Sequence, residues 1–405
     1  MRSTTHVLLS ALMFGMIAST PNTTVPTAKD NLNESGYTYK VHDSKINTKY
    51  SEMASSLFRN RLVIVSSKKI GALGNGVNQK TQEPYMDLFC SPIDGYGQVS
   101  QPILFSRILN TKGNEGFLSF SPDEHTVYYT RSTRDRSENY KLYKADLEKD
   151  SYGNWINHTE LSLSSDSYSV EHPRVSHDGK YLFFSSNMPE GFGGFDLYKA
   201  EILKDGTLGE PKNLGAEINT DRDEKYPFLN NDSKELYFSS EGHDGIGGFD
   251  IFISNRTKGD YTKPRNLGES INSEYDEIAF VYVSKDKGFF STNKENLNSN
   301  SFDMRRFKST VVYQNLEGIV VSDKEKPLPN TTVILLDEDG NELQRQITGV
   351  DAFYSFKIKP YENYSLMAVK DGFEKYRLRF RATEIRPERT FKEVLKLSED
   401  DSNEQ

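Results

Sequence analysis

HPRVSHDGKYLFFSSNMPEGFGGFDLYKAEI, residues 172–202, is the stretch that decides the fold. A short strand leads into a tight turn at Asp178-Gly179, an aromatic strand follows from Tyr181 to Ser185, and a glycine-rich connection opens a third strand at Phe195. The unit returns as KYPFLNNDSKELYFSSEGHDGIGGFDIFISNR at 225–256. Weaker copies stand at 115–147 and 277–307, and a degenerate one, with LVIVSS and DLFC, starts near Glu52.

The turn aspartates Asp123, Asp178, Asp232 and Asp286 are 55, 54 and 54 residues apart, and the third-strand position runs Asp87, Lys141, Asp196, Asp250, Asp303. A fixed period of this length with three or four short strands per repeat predicts β-propeller blades, five of them. A helical repeat would carry a 3.6-residue apolar period instead. In each blade the Asp-Gly or Asp-Ser turn closes a hairpin, and the aromatic strand (Tyr128/Tyr129, Leu182/Phe184, Leu236/Phe238, Phe289/Phe290) packs between blades. Gly193-Gly194 and Gly247-Gly248 are expected to supply positive φ and close approach. GFGGFD and GIGGFD open no helix after a strand, so they are not dinucleotide loops.

Closure is also legible. SKINTKYSEMA (44–54) matches the connectors ESINSEYDEIA (269–279) and EINTDRDEKY (217–226), so the strand before it, around Tyr37–Val41, is predicted to complete the last blade. Residues 36–310 then form the propeller. After Val311 the period vanishes, and strands alternate with Asp/Gly turns through 313–398, a small β-sandwich of the prealbumin-like or Ig-like kind followed by an acidic tail at 399–405.

The 405 residues carry a formal net charge of −9, which disfavours a grip on nucleic acid or anionic lipid. The 24 Phe and 23 Tyr supply the core of a folded chain despite its low mean hydropathy. The single cysteine, Cys90, forms no internal disulfide and is expected to be a small buried residue. VLLSALMFGMIAS (7–19) reads as the apolar part of a signal peptide over 1–20, with a Thr/Asn/Pro lead-in at 21–35; no other stretch is long and apolar enough to span a membrane. Export, to the periplasm or the outer membrane, is the expectation.

Five glutamates, Glu52, Glu115, Glu171, Glu224 and Glu277, stand seven to nine residues before the turn position at the start of the innermost strands. They are expected either to ring one rim of the channel as a cation or basic-partner site, or to bond backbone amides between blades. The seven histidines show no metal spacing, with His172 and His177 flanking a strand.

The blade pattern S/N-x-D-G/S-K…LYFSS…GGFDI/L resembles the TolB-type, WD-like propeller repeats of bacterial envelope proteins. The C-terminal part resembles the carboxypeptidase regulatory-like domain through Gly318-x-Val320, Pro327-Leu328-Pro329-Asn330, Asp339-Gly340, Thr348, Phe356 and Lys370-x-Gly372-Phe373, with Ala352 where that pattern has glycine. This order of domains is similar to the middle region of OmpA-family envelope proteins of Bacteroidota, including accessory proteins of type IX secretion. The resemblance implies interaction modules with envelope or secretion-machinery partners.

Propellers that cleave glycosidic bonds need carboxylates at non-equivalent inner-strand positions. Here the acidic positions recur blade by blade, and no G-x-S-x-G elbow occurs. The expectation is therefore a non-enzymatic envelope interaction protein without catalytic residues, cofactor or metal, using the loops at Lys69–Pro84, Thr133–Asn139 and Asn293–Ser301 as contacts. The alternative is a glycan-binding or glycan-cleaving propeller, with cell-wall glycan as ligand.

Overall fold

The computed structural model describes residues 33–71, 76–79, 82–230, 232–257, 260–294, 301–382 and 390–400. The leader, the lead-in up to residue 32, the end of the tail and parts of the 69–84 and 293–301 loops lie outside them. Every element among the described residues is a strand.

The first strand, β1 (Tyr37–Asp43), is held back for the end of the series. Sheet I follows as β2 (Glu52–Phe58), β3 (Arg61–Ser66), β4 (Asp87–Pro92) and β5 (Ile103–Leu104). Sheet II is β6 (Asn114–Phe120), β7 (Thr126–Thr133), β8 (Arg136–Leu147) and β9 (Trp155–Glu160). Sheet III is β10 (Val170–Val175), β11 (Tyr181–Ser186), β12 (Asp196–Glu201) and β13 (Lys212–Asn213); sheet IV is β14 (Glu224–Leu229), β15 (Glu235–Ser240), β16 (Asp250–Asn255) and β17 (Arg265–Asn266). Sheet V has β18 (Glu277–Tyr282), β19 (Lys287–Thr292) and β20 (Asp303–Val311), and its fourth strand is β1, paired antiparallel from Tyr37↔Val311 to Asp43↔Arg305. The strand expected to complete the last repeat does so.

The first strand of each sheet touches the first strand of the next, and β18 returns to β2, so the five surround one axis. All-β architecture with four-stranded antiparallel sheets in this arrangement is that of a β-propeller. The sheets are welded by aromatics. Phe58, Phe120 and Trp155 meet between sheets I and II at 4.8–5.7 Å between centroids, and Phe280 stacks on Phe307 at 4.5 Å in sheet V. Tyr39 of β1 meets Phe280 and Phe307 edge-on at 6.4 and 5.8 Å, placing the closing strand in the same core.

The recurring connector works as a clamp. Asn110, Asn219, Asn272 and Asn47 each accept from one backbone N–H and donate to the carbonyl of the same third-strand residue, Leu88, Leu197, Ile251 and Met304 respectively, at 2.6–3.0 Å. Each therefore ties the start of one sheet to the middle of the preceding one. In the connector to sheet III, Ser164 does this for Leu142 with a single hydroxyl.

Two sequence expectations need correction. The glycine pairs do not use positive φ. Gly193 and Gly247 are required because a Cβ there would collide with backbone of Asp221–Arg222 and Ser273–Tyr275 in the next connector, while Asp196 and Asp250 accept the loop amides of Phe192 and Ile246. Thr133–Asn139 is not a free loop either: Thr133 pairs with Arg136, so β7 and β8 run into a long hairpin with only Arg134-Asp135 between them.

The C-terminal part has a three-stranded sheet, β21 (Gln314–Ser322) between β24 (Phe353–Ile358) and parallel β27 (Phe391–Leu397), and a four-stranded one with order β23 (Glu342–Ile347), β22 (Thr332–Leu336), β25 (Asn363–Val369), β26 (Tyr376–Arg381). Leu316, Val333, Tyr354, Leu366 and Leu395 share one apolar cluster across both sheets. Ala352 adopts φ +56°, the left-handed conformation that glycine takes without strain.

Glu235 joins this part to the repeats. Its Oε1 accepts from Tyr37 Oη (2.7 Å) and pairs with Lys359 Nζ (2.8 Å); Oε2 accepts from Tyr237 Oη and Asn230 Nδ2 (both 3.0 Å). Burial pushes the carboxyl up, but the Lys359 charge and these hydrogen bonds outweigh it and hold it below the ordinary value. Arg265 covers the Tyr361 ring at 3.5 Å alongside.

Truncating Tyr39 removes the aromatic contacts that hold β1 in place. Tyr39→Ala should lower the unfolding free energy by about 3–5 kcal/mol in urea titration. An unchanged midpoint would show that ring closure does not depend on this strand's packing.

Candidate binding site at the channel mouth

The inner strands carry equivalent positions, fixed by their ladders. Glu52, Glu224 and Glu277 pair with Ser66, Ser240 and Thr292, the last residues of β3, β15 and β19, and Glu115 occupies the same place opposite Arg131. In sheet III the residue opposite Ser186, the last of β11, is Val170. Glu171 is one residue further on, and in a strand one residue reverses the face. The five glutamates are thus four of a kind plus one; Glu171 shares its position with Met53, Gly116, Lys225 and Ile278.

The four equivalent carboxylates are turned back on their own connectors. Glu52 takes the Thr48 amide and hydroxyl on separate oxygens (3.1 and 2.6 Å), and Glu224 and Glu277 do the same with Thr220 and Ser273. The hydroxyls of Ser240 and Thr292 add a further bond at 2.7 Å to Glu224 and Glu277. Glu115 differs: Oε1 takes both Thr111 groups and lies 3.3 Å from Arg131 Nε in an ion pair, while its covered Oε2 has no hydrogen-bond partner.

Glu171 accepts from Ser169 Oγ at 2.8 Å, and its Oε2 lies 3.8 Å from His172 Nε2 and 4.0 Å from Lys225 Nζ. Burial raises the carboxyls of Glu115 and Glu171 above their ordinary values against the pull of Thr111 and Arg131 on the first and of Lys225 and Ser169 on the second. These two line a cavity of about 200 Å³ at the start of the inner strands, with Tyr140, His172 and Tyr226.

The floor of the cavity is a β-bulge position shared by all five sheets. Each inner strand shifts register there, and Phe117, His172 and Tyr226 are the residues of sheets II–IV, with Ala54 and Ala279 in the other two. His172 (φ +53°) lies 3.8 Å from Tyr226 and 4.9 Å from Phe117 between ring centroids. Below them the open space shrinks to about 20 Å³, so the axis is plugged. His172 is therefore within the strand and on the axis, not flanking it. Burial, aided by Lys225, holds its imidazole well below the ordinary histidine value, and Nδ1 bonds Ser185 Oγ at 2.7 Å.

Sequence reasoning identified Glu115 and Glu171 but missed Tyr140, Tyr226 and the different standing of Glu171. The signal was present: Glu171 is seven residues before its turn aspartate, whereas Glu115 and Glu224 are eight before theirs. Among the described residues no three of His, Cys, Asp and Glu cluster closely enough to hold a metal ion.

No protein-family model matches the chain, and no curated protein matches it. Solved structures do. TolB from Acinetobacter baumannii is 14% identical with a TM-score of 0.33, covering 64% of this chain, which spans 55% of that protein's length. An α-L-arabinofuranosidase from Lactobacillus brevis is 10% identical with a TM-score of 0.43 over 74% of this chain and 97% of that one. A levansucrase from Bacillus subtilis is 12% identical, TM-score 0.41, over 65% and 84%. These are likenesses of fold.

They correct one expectation. Glycosidases and levansucrases stand beside TolB among the similar folds, so the fold does not set this chain apart from enzymes and its reading as no enzyme is withdrawn. Its physical basis fails as well, because it required every acidic position to repeat, and Glu171 does not.

Glu52 offers a pH test. Burial lifts its carboxyl from 4.5 to about 7 against the Thr48 hydrogen bonds. A folded value above the unfolded one favours the native state fully below pH 4.5, and this contribution is lost as pH rises through about 7. Glu52→Gln should therefore lose less stability than the parent protein between pH 5 and pH 8 in paired denaturant titrations. Parallel profiles would show that the carboxyl titrates normally.

Proposed function

We propose that this chain is a five-bladed propeller, extended by a small β-sandwich, that takes a glycan at the Glu115–Glu171 mouth of its channel. One observation carries the reading: the two carboxylates lining the cavity are the two that depart from the pattern of the rest. Glu171 is the only one outside the Glu52 position, and Glu115 keeps an oxygen without a partner at a buried place, where an unmet acceptor costs about 1–3 kcal/mol.

The Glu171 carboxylate, partly open to the cavity, can accept from a sugar hydroxyl, and the Phe117–His172–Tyr226 cluster provides an apolar floor for the ring. A cavity of about 200 Å³ is smaller than the 300–1,000 Å³ typical of drug-sized ligands, so it fits one sugar unit or a chain end. The Glu171 carboxyl, raised by burial, also gives the site a means of donating a proton to a glycosidic oxygen. A cell-envelope setting, with cell-wall or surface polysaccharide as the glycan and envelope proteins as neighbours, rests on the sequence resemblance.

Calorimetry against a panel of cell-wall and plant oligosaccharides, with reducing-end analysis of the same mixtures, tests the proposal. Binding should appear for at least one glycan and weaken about tenfold or more in Glu171→Gln, the loss expected for a hydrogen bond to a charged group. Tyr226→Ala should weaken it too. Saturable binding by none of the panel would overturn the assignment, and turnover lost in Glu171→Gln would give that residue the role of acid.

A further inference from the structure

The opposite mouth of the channel has its own departure from the repeat. At the place occupied by Ser56, Ser119, Phe228 and Val281 in the other sheets, β10 carries Arg174, as the shared ladder positions show. It is a cation where the equivalent residues are hydroxyls or apolar.

Its surroundings leave the charge unanswered. The guanidinium lies over the Phe228 ring at 4.1 Å, its Nε is wholly covered without a hydrogen-bond partner, and among the described residues no carboxylate forms an ion pair with it. Part of its surface stays open, and it lines a cavity of about 190 Å³ at the ends of the inner strands. The one carboxylate in that lining, Glu124, already accepts the Arg59 amide at 2.9 Å. The remaining polar lining holds no other carboxylate and includes Ser56, His177 and Asn230. Burial lowers the guanidinium to about 10, which still leaves it charged at neutral pH.

A half-buried guanidinium with free donors, set over an aromatic ring, matches the geometry of a planar or tetrahedral oxyanion, which it can grip with two parallel N–H bonds. We infer that the Arg174 mouth is a binding site for a small oxyanion, a carboxylate or phosphate group, separate from the Glu171 mouth. The volume, close to that of the Glu171 cavity, admits an anionic group on a carrier of about one sugar unit. The chain's net charge of −9 makes general attraction of anions weak, so occupancy depends on this one side chain.

The test is calorimetry of the full chain at low ionic strength against inorganic phosphate and, separately, glucuronate, with sodium chloride matched as control. The parent protein should give saturable heat with at least one of them. Arg174→Met should weaken it about ten- to a hundredfold while its melting temperature stays near the parent's. Arg174→Lys, which keeps the charge but loses the fork, should fall between, and it carries the test if the methionine variant does not fold. Glu171→Gln should bind the oxyanion as the parent does. A response to phosphate alone assigns a phosphate-bearing ligand, and one to glucuronate alone a carboxylate-bearing one. No saturable heat from either, or heat unchanged in both Arg174 variants, would overturn the inference.

Discussion

Seven residue pairs between β1 and β20 hold the ring shut. Without them the last sheet would end on an unpaired edge and the first strand would have no partner among the repeats. With them the five inner strands surround one axis, and each ladder position recurs at one depth along it. Geometry of that kind makes equivalent residues comparable: Glu52 with Glu224, Ala54 with Tyr226, Ser56 with Phe228. It also makes any departure conspicuous, because a repeat that needs only to fold has no reason to vary one sheet alone.

Departures gather in sheet III. Its connector uses Ser164 where four others use asparagine, Val170 stands where they have glutamate, and Ser186 therefore gives its hydroxyl to the Ser169 carbonyl instead of a carboxylate. Glu171, His172 and Arg174 follow in the same short strand, each meeting the channel. One strand thus brings an acid to one mouth, a neutral imidazole to the axis and a cation to the other mouth. The left-handed backbone at His172 costs roughly 1–3 kcal/mol for a residue other than glycine, and it comes with the shared bulge, since Tyr226 and Ala279 take the same conformation at the equivalent positions.

Much of the fold was legible because its devices are local and repeated. The turn aspartates, the GGFD loops and the I-N-T/S connectors each bond within or next to their own repeat, so spacing alone displayed them, and the connector match pointed to the partner of Tyr37–Val41. The site was less legible for the opposite reason. Whether Glu171 faces the channel depends on a register difference of one residue, which a tolerance of seven to nine in counting hides. Tyr140 comes from a third strand and Phe302 from the segment that enters β20, so no motif joins them to Glu171. Arg174 reads as an ordinary surface residue until its ladder place is known. The glycine pairs were recognised for their closeness but credited with a backbone angle they do not need, since what they avoid is the neighbouring connector.

The bond between Glu235 and Lys359 gives the molecule a front and a back. Asn230, which holds Glu235, also borders the Arg174 mouth, so the C-terminal sheets sit beside that end of the axis and the Glu171 mouth opens at the other. Because the carboxylate is shared among Tyr37 of the closing strand, Tyr237 of sheet IV and Lys359, the C-terminal part is fastened to the ring's own lock. A surface or partner that grasped the C-terminal sheets would thereby set the compass bearing of the channel, presenting the Glu171 mouth outward and keeping the Arg174 mouth on its own side.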